Sequence, residues 1–117
     1  KTKLEILDIA EKVAFDMGRQ LTIISAFRTP QQNKDVGGAS SSQHLLGNAL
    51  DISTIGMTDT EKVEFVRLCI LYGAQAFGFY ESDGFIHYDL GEKRHWGSIP
   101  NRYVSVLTAG DISPYRS

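Results

Sequence analysis

A stretch in the middle of the chain, Ser42-Gln43-His44-Leu45-Leu46-Gly47-Asn48-Ala49-Leu50-Asp51, constrains the fold more than any other. It sets a histidine and an aspartate seven positions apart, with a glycine and an alanine between them. Another histidine, His87, lies in the short run Gly84-Phe85-Ile86-His87-Tyr88-Asp89. Two imidazoles and one carboxylate are the three-donor set of a catalytic zinc, whose fourth position is left to water. Taken singly, either histidine reads more readily as a structural residue, and His44 with Asp51 as a loop leading into a strand. Taken together they read as one metal set. Gly47 lets the chain bend so that His44 folds back toward Asp51. Ala49 leaves room beside the carboxylate.

The flanking segments supply a scaffold. Residues 48–53 alternate as a strand, with Ala49, Asp51 and Ser53 on one face and Asn48, Leu50 and Ile52 on the other. Residues 77–80 and 85–90 read as two more strands, joined by the turn Glu81-Ser82-Asp83-Gly84 into an antiparallel hairpin. Phe85, His87 and Asp89 then share a face, opposite Ile86, Tyr88 and Leu90. Residues 21–25 are β-branched and short, and read as a further strand.

Two helices are predicted. One follows the capping box Thr2-Lys3-Leu4-Glu5, carries Ile6, Ala10, Val13 and Met17 on one stripe, and stops at Gly18. The other follows Thr58-Asp59-Thr60-Glu61, runs through Val63, Val66, Cys69 and Ile70, and stops at Gly73. Pro30, capped by Thr29, suits a short helical turn, and residues 35–42 read as a loop that could rim the metal. The tail shows little periodicity; residues 104–107 suggest one more short strand. The expectation is an α+β fold in one domain, residues 1–117: a small antiparallel sheet with helices on one face and a metal cleft on the other.

Composition removes several function classes. With 117 residues the chain supports one modest core. A net charge of −2 gives no electrostatic case for nucleic acid or an acidic membrane surface. No apolar run approaches the roughly 20 residues that span a bilayer, and no signal peptide is visible. The single cysteine, Cys69, leaves no internal disulfide and no cysteine-based zinc site, and reads as a buried, inert thiol. A monomer is expected.

The order Ser42, His44, Gly47, Ala49, Asp51 and then His87 matches Ser-x-His-x-x-Gly-x-Ala-x-Asp followed by a histidine on a strand. In this the chain resembles the M15 zinc peptidases, the D-alanyl-D-alanine carboxypeptidase and endolysin-like group, over roughly residues 25–96. The phrases Phe85-Ile86-His87-Tyr88-Asp89 and Arg94-His95-Trp96 resemble one branch of that family. The resemblance implies the fold shared with hedgehog domains, with Zn2+ held by His44, Asp51 and His87. It implies hydrolysis of peptidoglycan stem peptides near D-alanine, in the cell envelope or by a phage-borne enzyme. Arg28 stands where family members carry an arginine that reaches the substrate; its planar fork suits a terminal carboxylate or a developing oxyanion. Gln32, Ser42 and Trp96 are expected beside it in substrate binding, with core packing an equally good reading of Trp96.

One position departs from the family pattern. Many relatives have an acid three residues before the last histidine, and here that residue is Gly84. Asp89 is then the first candidate for the proton shuttle and Asp83 the second, with Glu81 also in the turn. Asp89 reads equally well as a partner that orients a histidine. His95 reads as exposed or stacked in preference to a ligand. The missing acid also leaves open a zinc-bearing binding module, or a phage or envelope structural component, with little or no catalysis.

Overall fold

The computed structural model describes residues 4–25, 49–97 and 99–114. The first capping box at Thr2, the short helix at Pro30, the loop 35–42, and Arg28, Gln32, Ser42 and His44 lie outside them.

Helix α1 (Leu4–Met17) leads to strand β1 (Ile23–Ser25), then β2 (Ala49–Ser53). Helix α2 (Asp59–Leu71) follows, then β3 (Ala76–Tyr80), a single 3-10 turn (Glu81–Asp83), and β4 (Phe85–Asp89). Strand β5 (Arg94–Gly97), a second 3-10 turn (Asn101–Tyr103), helix α3 (Val104–Ala109) and the two-residue β6 (Ser113–Pro114) are the last elements among the described residues. The strands form one sheet in the order β1-β2-β4-β3-β5-β6.

The α+β class is as expected, but the sheet is mixed, not antiparallel. β1, β2, β4 and β3 pair antiparallel, whereas β5 pairs parallel with β3, and β6 parallel with β5. Both edges of β4 are already taken by β2 and β3. The chain leaving β4 therefore turns back, crosses β3 and docks on its far edge, where its direction matches that of β3.

The core lies between the helices and one face of the sheet. Ile6, Ile9, Ala10 and Val13 of α1 and Phe65, Val66, Leu68 and Cys69 of α2 pack with Leu50, Ile52, Phe77, Phe79, Ile86 and Tyr88. These are the strand positions that alternation assigns to one face. Tyr88 meets Phe65 edge-on and donates its hydroxyl proton to the Ile6 carbonyl at 2.8 Å, tying α1 to β4 through the core. Burial raises the Tyr88 pKa, so the phenol stays protonated and can donate. The capping box at Thr58 forms: its hydroxyl accepts from the Glu61 amide at 3.1 Å, and the Glu61 carboxylate accepts from the Thr58 amide at 2.9 Å.

Residues 104–109 form a helix where a strand was expected. The local β-branched pattern of Val104 and Val106 loses to packing. Tyr103 and Leu107 are both buried, whereas Ser105 midway between them is exposed; a strand would turn all three to one side, and a helix sends Ser105 away from the other two.

Candidate active site

The sheet face turned away from the main core carries a row of residues in register across four strands, β2, β4, β3 and β5, and backbone pairing extends the register to β1. Ser25 of β1 pairs with Asp51 of β2, Asp51 with His87 of β4, His87 with Gly78 of β3, and Gly78 with Trp96 of β5. Directly opposed residues on neighbouring antiparallel strands bring their Cβ atoms to about 4.5–5.5 Å. That register is why Asp51 and His87, distant in sequence, meet. The next row on this face holds Ala49, Asp89, Ala76 and Arg94.

His87 stands between two carboxylates. Its Nδ1 lies 3.0 Å from Asp51 Oδ1 and its Nε2 2.6 Å from Asp89 Oδ2. All three side chains are buried, Asp89 completely. Burial alone pushes the His87 pKa down, but hydrogen bonds and charge from Asp51 and Asp89 outweigh it, and the net shift is upward. Bonding both carboxylates at once needs both ring nitrogens protonated. Asp89 is further engaged: its Oδ1 accepts the Gly91 amide at 2.8 Å, and Arg94 Nη2 lies 3.5 Å from Oδ2.

Trp96 closes this group on the β5 side. Its ring centre is 5.0 Å from that of His87, and the Arg94 guanidinium sits 5.0 Å from the indole centre. The indole Nε1–H donates to the Tyr80 hydroxyl at 2.8 Å. Tyr80 stacks on Phe85 with ring centres 4.5 Å apart and planes 12° apart. The indole lies directly over Gly78: a Cβ there would come within 2.6 Å of it.

Of the candidate residues read from the sequence, Asp51, His87, Asp89 and Trp96 are thus brought together. Asp83 lies exposed in the turn before β4. Glu81 is drawn toward the helices by Arg102 at 2.8 Å, Tyr103 at 3.2 Å and Lys62 at 3.6 Å. His95 alternates away from Trp96, and its Nδ1–H donates to the Ile112 carbonyl at 3.1 Å, which gives it a structural partner. A depression on the helix side, lined by Asp16, Met17, Asp59, Glu61, Val63 and Arg102 among others, shares no residue with the row. Gly78 and Tyr80 were not singled out from the sequence, and Arg94 entered only as part of the phrase Arg94-His95-Trp96. The one available signal was Gly78 inside a strand of aromatic residues, which marks a close approach.

Among the described residues no three His, Cys, Asp or Glu side chains form a group that could hold a metal ion. The pair within them nevertheless fits such a role. Two donors of one tetrahedral zinc, each about 2.0–2.2 Å from the ion, stand roughly 3.3 Å apart. His87 Nδ1 and Asp51 Oδ1, at 3.0 Å, are close to that spacing. Asp89 on the far nitrogen is the type of carboxylate partner that fixes the tautomer of a metal-bound histidine.

A sequence profile described as peptidase M15 matches residues 1–89, about three quarters of the chain. The chain belongs to the peptidase M15 family. Membership makes it a peptidase with a peptide as substrate, in a family whose members generally depend on zinc. The match ends at Asp89, so it takes in the whole of β2, β3 and β4 and stops short of Arg94 and Trp96. No curated protein matches the chain. As an M15 peptidase of this size it has, among the described residues, no helix long and apolar enough to cross a membrane.

Proposed function

We propose that this M15 peptidase is a zinc enzyme that hydrolyses peptidoglycan stem peptides near D-alanine, working as a single domain over residues 1–117. His44, Asp51 and His87 hold the ion. The observation that carries the reading is the 3.0 Å approach of His87 Nδ1 to Asp51 Oδ1 on the sheet face turned away from the main core. When bound, the ion would acidify a water and polarise the scissile carbonyl.

The chain's own residues do the rest. Asp89 keeps a proton on His87 Nε2, which leaves the Nδ1 lone pair facing Asp51 and the ion. Arg28 grips the substrate's terminal carboxylate or the developing oxyanion, and Gln32, Ser42 and Trp96 line its path. Two carboxylates are candidates for carrying the proton to the leaving amine. Asp89 is adjacent to His87 but fully buried; Asp83 is exposed in the turn before β4. The burial of Asp89 favours Asp83 for this step and an orienting role for Asp89.

The test is incubation of the purified protein with peptidoglycan, with amino acids and dipeptides followed by mass spectrometry. Stoichiometric zinc, release abolished by chelator, and an inactive Asp51→Ala variant are expected. A second reading, a zinc-bearing binding module, is favoured by Gly84 in the usual acid position and by the engagement of both Asp89 oxygens. Zinc-dependent retention on peptidoglycan without release of any product would select it.

A further inference from the structure

Three features hold the indole of Trp96, and one of them, Gly78, is also the residue paired with His87 across the β3–β4 hairpin. Gly78 leaves the space it occupies, the Tyr80 hydroxyl accepts its N–H at 2.8 Å, and the Arg94 guanidinium lies 5.0 Å from its ring centre. The same indole rests against the His87 imidazole at 5.0 Å. Tyr80 is itself steadied by its stack on Phe85, the residue paired with it across the β3–β4 hairpin.

We infer that Tyr80 is a positioning residue: its hydroxyl pins Trp96 across Gly78, and the pinned indole braces the His87 ring in the plane that lets Nδ1 and Nε2 address Asp51 and Asp89 together. An imidazole held by hydrogen bonds in its own plane, as His87 is by Asp51 and Asp89, can still tilt about the line joining them. A large flat group packed on its side removes that freedom. Glycine at 78 is required for the brace, because any side chain there would lift the indole off the sheet. The inference rests on the reading of His87 as a zinc ligand only where zinc is used as a readout.

Tyr80→Phe tests it, since it keeps the ring and the stack on Phe85 and removes only the hydroxyl. Trp96 is the chain's one tryptophan, so a single indole N–H resonance reports the pin. The three histidines give three sets of ring resonances, of which His87 reports the brace. In the metal-free variant the indole resonance is expected to shift and to exchange faster with solvent, and the His87 ring resonances to move with it. Zinc is expected to bind about tenfold more weakly, the lower end of what losing a ligand's supporting partner costs. Tyr72→Phe, which removes an exposed phenol bonded to Asp16, should change none of these. A displaced indole with His87 resonances and zinc affinity as in the unaltered protein would overturn the brace. An unchanged indole resonance would overturn the pin. If Tyr80→Phe fails to fold, Gly78→Ala displaces the indole from the other side and is read the same way. Should the unaltered protein bind no zinc, the proposed function fails, and the His87 resonances in the metal-free protein still decide this inference.

Discussion

Asp89 and Asp51 hold opposite edges of one imidazole: Asp89 Oδ2 is 2.6 Å from His87 Nε2, and Asp51 Oδ1 is 3.0 Å from Nδ1. The shorter contact lies on the buried side, where Asp89 also accepts the Gly91 amide and faces Arg94. His87 therefore has one nitrogen committed to the protein and one directed toward the second carboxylate. This asymmetry is what a metal-binding histidine needs, because the ligand nitrogen must be free of its proton while the other keeps its own.

Asp89→Asn tests the committed side. The amide nearly matches the carboxylate in shape but carries no charge to hold the Nε2 proton. Zinc affinity, measured by competition with a chromophoric chelator, is expected to fall about 10–100-fold. An affinity within twofold of the unaltered protein would exclude Asp89 as the residue that orients His87.

The raised pKa of His87 gives two opposite pH dependences. In the metal-free protein the imidazolium is stabilised by Asp51 and Asp89 in the fold and not in the unfolded chain. That stability is fully present below the unfolded value, about 6.5, and is lost as pH rises through the higher folded value. Zinc binding requires Nδ1 without its proton, so affinity should strengthen over the same rise in pH. Thermal melts from acid to alkaline pH, with chelator and with excess zinc, are expected to diverge as the pH climbs. Parallel curves would mean that His87 does not bind the ion.

The Thr58 capping box predicts a modest and local cost. Both hydrogen bonds form at the start of α2, and the Thr58 amide is the largest influence lowering the Glu61 pKa. Thr58→Ala should lower stability by about 1 kcal/mol, a fall in Tm of roughly 4 °C for a domain of this size. Zinc affinity should not change, since α2 lies across the core from the His87 row. A cost near zero would show that the α2 start is held by packing alone.

The parts of this fold legible in the sequence are those written in local periodicity. Alternation placed Asp51 and His87 on sheet faces, helical spacing gave the buried stripes of α1 and α2, and Thr58 with Glu61 marked the second helix start. The register that brings Asp51 opposite His87 is not a local property; the sequence offered it only through the chemistry of a shared ion. Strand β5 was missed because Arg94-His95-Trp96-Gly97 has no apolar alternation, and its pairing with β3 depends on which sheet edge stays open after β4 docks. The same gap hid Tyr80 and Gly78, whose roles exist only once Trp96 lies on their strand.

Gly97 offers the sharpest check on that missed strand. It has φ +97°, in the left-handed region, and it pairs with Phe79 across the parallel β3–β5 ladder. A Cβ at this position would lie 2.2 Å from the Phe79 carbonyl oxygen, a backbone atom that cannot move without pulling β3. Gly97→Ala therefore combines backbone strain with a steric clash and should cost about 2–4 kcal/mol. Gly18 is the matched comparison. It also has a left-handed φ, +65°, but a Cβ added there would meet nothing within 4 Å. Gly18→Ala should cost only about 1–2 kcal/mol, the backbone penalty alone. Denaturant titrations of the two variants separate the cases. If Gly97→Ala is no worse than Gly18→Ala, β5 does not dock against β3 as described. Trp96 would then lose its place beside His87. If the larger cost is found, the indole of Trp96 in Gly97→Ala should also exchange its N–H faster, because the strand that carries it has been pushed away from Tyr80.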